Sequence, residues 1–242
     1  MIEEEIRQTI ETLAEERDVE VIETERLHIL MAYIIERDAI AYNIDELKSA
    51  YNKLRQYRHI DLSKSIRHIF GHELGHREKY RTFGVERALK IEEPLETLFY
   101  SPREAIRSLP KEERHLFPLY RASAIAFYLF EEYYAEKHNA LKYTHYRIAD
   151  TLLRFEIIKR NSEAIRKAIH VLHSVNHEAI RAYFIYPITH FPRHLKPLKI
   201  IFPEYPILLK IRKFCDKEIR TAEDVFDEEK MKKLAEIILY EL

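Results

Sequence analysis

Phe70-Gly71-His72-Glu73-Leu74-Gly75-His76-Arg77 is the stretch from which the fold is read. Two of the chain's glycines stand in it, and the last one, Gly84, follows closely. Average glycine usage of roughly 7% would put about seventeen in a chain of this size. Glycine is used where the backbone must take positive φ: tight turns, bulges and helix terminators. A chain of 242 residues with 3 glycines, all between positions 71 and 84, is poor material for a many-stranded sandwich or barrel. Nor can a glycine-rich phosphate loop or a dinucleotide fingerprint be written with it. The fold class expected is mainly α: a multi-helix globular domain with at most a small β element.

Helical periodicity extends outward from that stretch in both directions. Asp61 or Ser63 opens a helix that runs through Ile66, Ile69 and Phe70 to about Phe83, where Gly84 can terminate it. Upstream, Ile2, Ile6, Ile10 and Leu13 mark one face of a first helix ending near Arg17. Val19-Glu20-Val21 is a short strand candidate. A second helix is predicted from about Glu23 to Ala41, with Leu27, Leu30, Met31, Tyr33 and Ile34 inward. Asn43 or Asp45 caps a third, ending near Tyr57.

Downstream, Ser101-Pro102-Arg103-Glu104 reads as a capping box with proline at the first helical position. A long helix is predicted from about Pro118 to Tyr143, and others start at Thr144 and Ser162. Pro187, Pro192, Pro197, Pro203 and Pro206 mark a loop or extended segment, in which Leu198–Phe202 could be a strand. Helices at Ile207–Lys217 and Asp227–Leu242 follow. With no internal repeat and no Gly/Ser linker, residues 1–242 read as one mostly helical domain. Within it, 1–57 are a helical add-on and 58–242 the core.

Composition narrows the function classes. Apolar residues are 46% of the chain, enough for a sizeable core. A net charge of −1 leaves no global footprint for nucleic acid. Residues 1–24 are acid-rich and 193–213 base-rich, which reads as mutual attraction or solvated faces. Cys215 is alone, which excludes an intrachain disulfide and a cysteine zinc cluster. The start Met1-Ile2-Glu3-Glu4-Glu5 is acidic where a secretory leader is basic. No apolar run approaches the length of a membrane span. A soluble, cytoplasmic protein without membrane insertion is expected. Scarce Asn and Gln beside abundant Glu, Lys and Arg match a thermophile's composition.

His72-Glu73-Leu74-Gly75-His76 spells HExxH. On a helix, residues four apart lie about 40° apart around the axis and one turn along it. Two imidazoles so placed can converge on one cation, with the glutamate between them close enough to hold a water. Neutral imidazole suits Zn²⁺, which for catalysis needs three protein ligands and an open position. Gly71 and Gly75 strengthen the case. Each costs a helix interior about 0.8–1 kcal/mol relative to alanine. Together they form a side-chain-free stripe flanking the histidines, where another backbone or a substrate can come close. Tight helix packing without a metal is the other reading of the same stripe.

The third ligand does not come from an HExxHxxGxxH pattern, because Lys79 and Thr82 occupy the positions it needs. Glu132-Tyr133-Tyr134-Ala135-Glu136, in the long helix, offers one instead. Glu132 could complete the zinc set. Glu136 could accept a hydrogen bond from the far nitrogen of a ligand histidine and fix its tautomer. Ala135 would keep the helix–helix contact close. Glu131, Glu132 and Glu136 could also be a solvated face. Against that, Ala124, Phe127, Tyr128, Phe130, Tyr133 and Tyr134 make this helix apolar nearly all round. Buried carboxylates need partners. His68, one turn before His72, reads as a packing or supporting residue.

HELGH followed by EYYAE resembles the gluzincin zinc metallopeptidases. It is most similar to the group that holds the CAAX prenyl-protein endopeptidases and the bacterial membrane heat-shock protease, whose patterns are HExGH and E-x-x-A-D. The resemblance implies a zincin-like active-site helix with His72, His76 and Glu132 as zinc ligands and Glu73 as general base. It implies that Glu136 supports a ligand histidine. Thr189-His190-Phe191-Pro192 loosely matches a downstream Thr-His-Pro segment of the family, with one inserted residue. His190 is therefore favoured as the oxyanion donor over His170, His173, His177, Tyr183 and Tyr186.

The chain departs from the family's pattern in three ways. Glu136 stands where the family has aspartate, the family's membrane helices are missing, and no clear edge strand precedes the active-site helix. The function expected is a zinc-dependent peptidase acting on a peptide or protein. The alternative is a non-catalytic helical binding or scaffold protein with a gluzincin-like core or a chance HExxH.

Overall fold

The computed structural model describes residues 2–55, 60–137, 188 and 205–241. The described residues are mainly helical, with one three-stranded sheet. They fall into two compact units, one of the described residues up to Arg81 with 135–137, the other of Thr82–Tyr134 with 188 and 205–241.

In the first unit, helix α1 spans Ile2–Arg17 and buries Ile6, Ile10, Leu13 and Ala14. Its first turn carries Glu3, Glu4 and Glu5, the sign that suits the positive end of the helix dipole. Strands β1 (Glu20–Glu23), β2 (Met31–Ile34) and β3 (Ala39–Tyr42) follow. The sheet order is β1-β3-β2, so β2 is an edge. β1 runs parallel to β3, with Val21 opposite Ile40. β2 runs antiparallel to β3, with Tyr33 opposite Ile40.

The helix expected over Glu23–Ala41 is thus a correction: this segment makes two strands and part of β1. The physical reason lies in the central strand. All four residues of β3 are buried, so Ala39-Ile40-Ala41-Tyr42 shows no polar alternation. A short, continuous apolar run cannot be told from a buried helix by periodicity. The turns were hidden as well. A short 3₁₀ turn, Ile35–Arg37, joins β2 to β3, and Asp38 closes it at φ 48°. Asp18, between α1 and β1, also has φ 48°. Aspartate is one of the few residues besides glycine that visit the left-handed region routinely. This chain turns its sheet with aspartates.

Helix α2 (Ile44–Leu54) starts at Asn43, whose Oδ1 accepts the Asp45 and Glu46 amides at 3.0 and 3.2 Å. Helix α3 spans Leu62–Phe83. Asp61 caps it, its Oδ1 accepting the Lys64 amide at 2.8 Å. Leu62, Ile66 and Phe70, one turn apart each, face a core shared with Ile6, Ile10, Met31, Ile40 and Leu47. Each such side chain stabilises the unit by about 1.5–3 kcal/mol through removal from water. This packing fixes the rotation of α3, and therefore the direction in which the HExxH residues point.

In the second unit, α4 (Val85–Tyr100) starts after Gly84, at φ 95°, and carries Pro94 in its interior. Helix α5 spans Pro102–Ser108 with its proline at the start, as expected. The capping box expected at Ser101 does not form. Ser101 also ends α4, and at φ −125°, ψ 55° its side chain makes no cap bond. Its carbonyl receives the Glu104 and Ala105 amides instead, at 3.0 and 2.9 Å.

Helix α6 spans Phe117–Ala135. It is buried on nearly every side, including Ile125, Phe127, Leu129, Phe130 and Tyr134. Helices α7 (Tyr205–Glu218), α8 (Ala222–Val225) and α9 (Glu228–Glu241) complete the described chain. Phe226 stacks on Phe83 with ring centroids 3.9 Å apart, and Phe127 leans on Phe226 at 5.7 Å. Tyr133 donates its hydroxyl hydrogen to Asp216. Among the described residues no helix is long and apolar enough to cross a membrane. The helices expected from Thr144 and Ser162, the proline-rich segment and the Leu198–Phe202 strand lie outside the described residues.

Candidate metal centre

The i, i+4 spacing puts His72 and His76 on one face of α3. Their Nε2 atoms lie 3.0 Å apart, with the rings edge to face. His72 is buried and His76 half-buried. Each offers a ligand atom lying within 4.8 Å of the other's and of a carboxylate oxygen of buried Glu132. Glu132 stands one helical turn before Glu136 on the chain segment that carries Ala135.

Why that segment can come close to α3 is seen at Gly75. A Cβ built there would stand 2.5 Å from Ala135 Cα and 3.0 Å from both its Cβ and its carbonyl oxygen. Real Cβ atoms are not found at the first of those distances, and the neighbour is backbone, which cannot swing aside. Glycine at 75 and alanine at 135 are the pair of small residues that let the two backbones touch. Gly71, one turn earlier, is buried as well.

Glu136 follows Ala135 in a short π-helical turn with Lys137. Its Oε1 lies 3.2 Å from His72 Nδ1 and 3.7 Å from His68 Nε2, with all three side chains buried. A carboxylate behind the far nitrogen holds an imidazole ring in place and directs its other nitrogen outward. Wider turns of this kind are frequent at functional sites. His68 is thus packed against the same carboxylate that lies beside His72 Nδ1.

Glu73 is buried, and its Oε2 accepts the backbone N–H of Tyr33 at 2.9 Å. Tyr33 is on β2, the edge strand. The expectation that no edge strand precedes the HExxH helix is therefore overturned. The strand exists, and it is bonded to the motif glutamate. It was missed because the segment carrying it reads as a helix.

One turn beyond Glu73, Arg77 forms a bidentate pair with Asp38, Nε to Oδ1 and Nη2 to Oδ2, both 2.8 Å. It also donates to the carbonyls of Arg17 at 3.2 Å and Asp18 at 2.9 Å. The guanidinium holds the Asp38 carboxyl down at about 2, well below its ordinary 3.8. The Tyr33 hydroxyl donates to Asp38 Oδ1 at 2.9 Å. Burial, then that bond, pushes Tyr33 up to about 12. Tyr33, Asp38 and Arg77 were not among the site residues expected from sequence. Arg77 and Asp38 stand 39 positions apart, and no short-range spacing announces the pair.

The donor set fits zinc. Two imidazoles and one carboxylate would make three protein ligands, the number a catalytic zinc takes, with a second carboxylate lying beside one imidazole. Glu132 and Glu136 are both buried, and a buried carboxylate needs partners, of which a cation can be one. His190, with the other oxyanion-donor candidates His170, His173, His177, Tyr183 and Tyr186, lies outside the described residues. No family model, curated protein or solved structure matches the chain.

Proposed function

We propose that this chain is a zinc-dependent peptidase of gluzincin type that hydrolyses peptide bonds. In this reading α3 is a zincin-like active-site helix, and His72, His76 and Glu132 hold the metal. Zinc bound there would supply Lewis-acid activation of water and of the scissile carbonyl. Glu73 takes the proton from the attacking water and passes it to the leaving amine. One of its oxygens is held by Tyr33, which leaves Oε1 for the proton. Glu136 orients His72. His190 is the proposed donor to the developing oxyanion.

The observation that supports this reading most is the convergence of His72, His76 and Glu132 ligand atoms within 4.8 Å. Metal analysis of protein purified without a histidine tag tests it. About one zinc per chain is expected, lost in His72→Ala and Glu132→Ala and kept in Glu73→Gln. No bound metal after zinc reconstitution would sink the proposal. Hydrolysis of an unstructured peptide library should then disappear in Glu73→Gln.

A second reading is favoured by the Tyr33–Glu73 bond itself. A carboxylate tied to an edge strand can be a structural tie in a non-catalytic binding protein. Equal behaviour of wild type and Glu73→Gln on the peptide library would favour it.

A further inference from the structure

Glu73 and Arg77 are one turn apart, so they share a face of α3. Both are used on the same strand. Glu73 Oε2 takes the Tyr33 amide at 2.9 Å, in the middle of β2. Arg77 grips Asp38, in the connection where β2 turns into β3, through two bonds of 2.8 Å. The Tyr33 hydroxyl closes the circuit on Asp38 Oδ1 at 2.9 Å. Behind it, the Tyr33 ring stacks on Tyr80 of the same helix, centroids 5.8 Å apart.

Tyr33 is thus fixed at its amide, its ring and its hydroxyl: the first two meet α3 directly, and the hydroxyl reaches it through Asp38 and Arg77. Arg77 is 7% exposed, and its remaining hydrogen bonds go to the Arg17 and Asp18 carbonyls. It has no outward task. A glutamate side chain has three rotatable bonds, and a base must present one oxygen in a narrow range of directions. An edge strand free to slide along the helix would carry the Tyr33 amide with it and let the carboxylate turn.

We propose that Arg77, Asp38 and Tyr33 are positioning residues that set the orientation of the Glu73 carboxylate. They do so by clamping β2 to α3 at a fixed register. The inference rests on the reading of Glu73 as the base. None of the three touches substrate. Arg77 and Asp38 act through Tyr33, and Tyr33 acts through its amide.

The test uses the full chain loaded with zinc, as wild type, Tyr33→Phe and Asp38→Ala. Tyr33→Phe removes one hydroxyl and keeps the ring, so it serves if Asp38→Ala fails to fold. Two readouts are taken: hydrogen exchange at the Tyr33 amide, and steady-state cleavage of one peptide from an unstructured library. The expected result is several-fold faster exchange at Tyr33, with exchange at Ile40 unchanged. With it comes a fall in kcat of about ten-fold while KM and zinc content hold.

Unchanged exchange at Tyr33 overturns the proposal, and so does an unchanged kcat even where exchange quickens. If wild type cleaves nothing, the peptidase reading falls and exchange alone decides. Faster exchange in the variants then keeps the clamp, and unchanged exchange removes it.

Discussion

Gly75 and Ala135 meet backbone to backbone, with space for no more than a hydrogen at Gly75. The consequence is a conflict between local and tertiary preference. In isolation, Gly75→Ala should stabilise the helix by about 1 kcal/mol. In the folded chain the new Cβ falls 2.5 Å from Ala135 Cα, and a backbone must move. Overpacking of that kind costs about 1–3 kcal/mol. Thermal unfolding should therefore show Gly75→Ala destabilised, and zinc affinity should fall because Glu132 and Glu136 sit on the displaced segment. A variant as stable as wild type, with the same zinc affinity, would show that the glycine was not needed for the approach.

Glu136 tests the proposed support of His72 separately from the proposed ligands. Its Oε1 is 3.2 Å from His72 Nδ1. Removing the outer partner of a metal-ligating histidine typically weakens metal binding by about 10–100-fold. Glu136→Ala should lower zinc affinity by that factor in competition with a chelator, without abolishing it. Glu73→Gln should leave affinity near wild type. A Glu136→Ala affinity equal to wild type would mean that the contact does not hold the ring.

These variants probe the part of the molecule that was legible in the sequence. The helix α3 could be read because Asp61, Ile66, Phe70 and Gly84 give a start, a face and an end within one local window. The approach of Ala135 to Gly75 could be read because glycine is costly in a helix and is otherwise avoided in this chain. Of the sheet, only β1 could be read, from the Val19-Glu20-Val21 candidate; β2 and β3 could not. β3 is buried at all four positions and lacks alternation, and its turns use Asp18 and Asp38 where glycine would have been a signal. With β2 hidden, the Tyr33–Glu73 bond and the Arg77–Asp38 pair were hidden too. Both join residues about forty positions apart, and neither leaves a periodic trace.

The Arg77–Asp38 pair carries a pH dependence whose sign can be worked out. The Asp38 carboxyl is held at about 2 in the folded chain, against 3.8 ordinarily. A depressed acid contributes stability above its unfolded value and loses it as pH falls through the folded value. The contribution is therefore complete above about pH 4 and gone below about pH 2. Asp38 is 45% exposed, so solvent screening keeps it to about 1 kcal/mol or less. Urea midpoints measured between those limits should fall less steeply with acid in Asp38→Asn than in wild type. Parallel slopes would mean that the pair does not contribute to acid stability.

Two serine- or aspartate-based helix starts make a last comparison, because one was expected and does not form while the other forms unannounced. Ser101 precedes a proline and a glutamate three residues on, yet its side chain makes no cap bond, since the residue must also end α4. Asp224, in the first turn of α8, accepts the Arg220 and Thr221 amides through Oδ2, both at 2.8 Å, and pairs with Lys230 through Oδ1. Deleting an ionised acceptor that serves two amides and an ammonium leaves groups to be resolvated, at about 1–3 kcal/mol. Deleting a hydroxyl that bonds nothing at the cap should change little, within about 0.5 kcal/mol. Asp224→Ala should therefore lower the unfolding free energy by more than Ser101→Ala. Chemical denaturation of the two single variants decides it. An equal loss would mean that the Ser101 side chain caps α5 in solution.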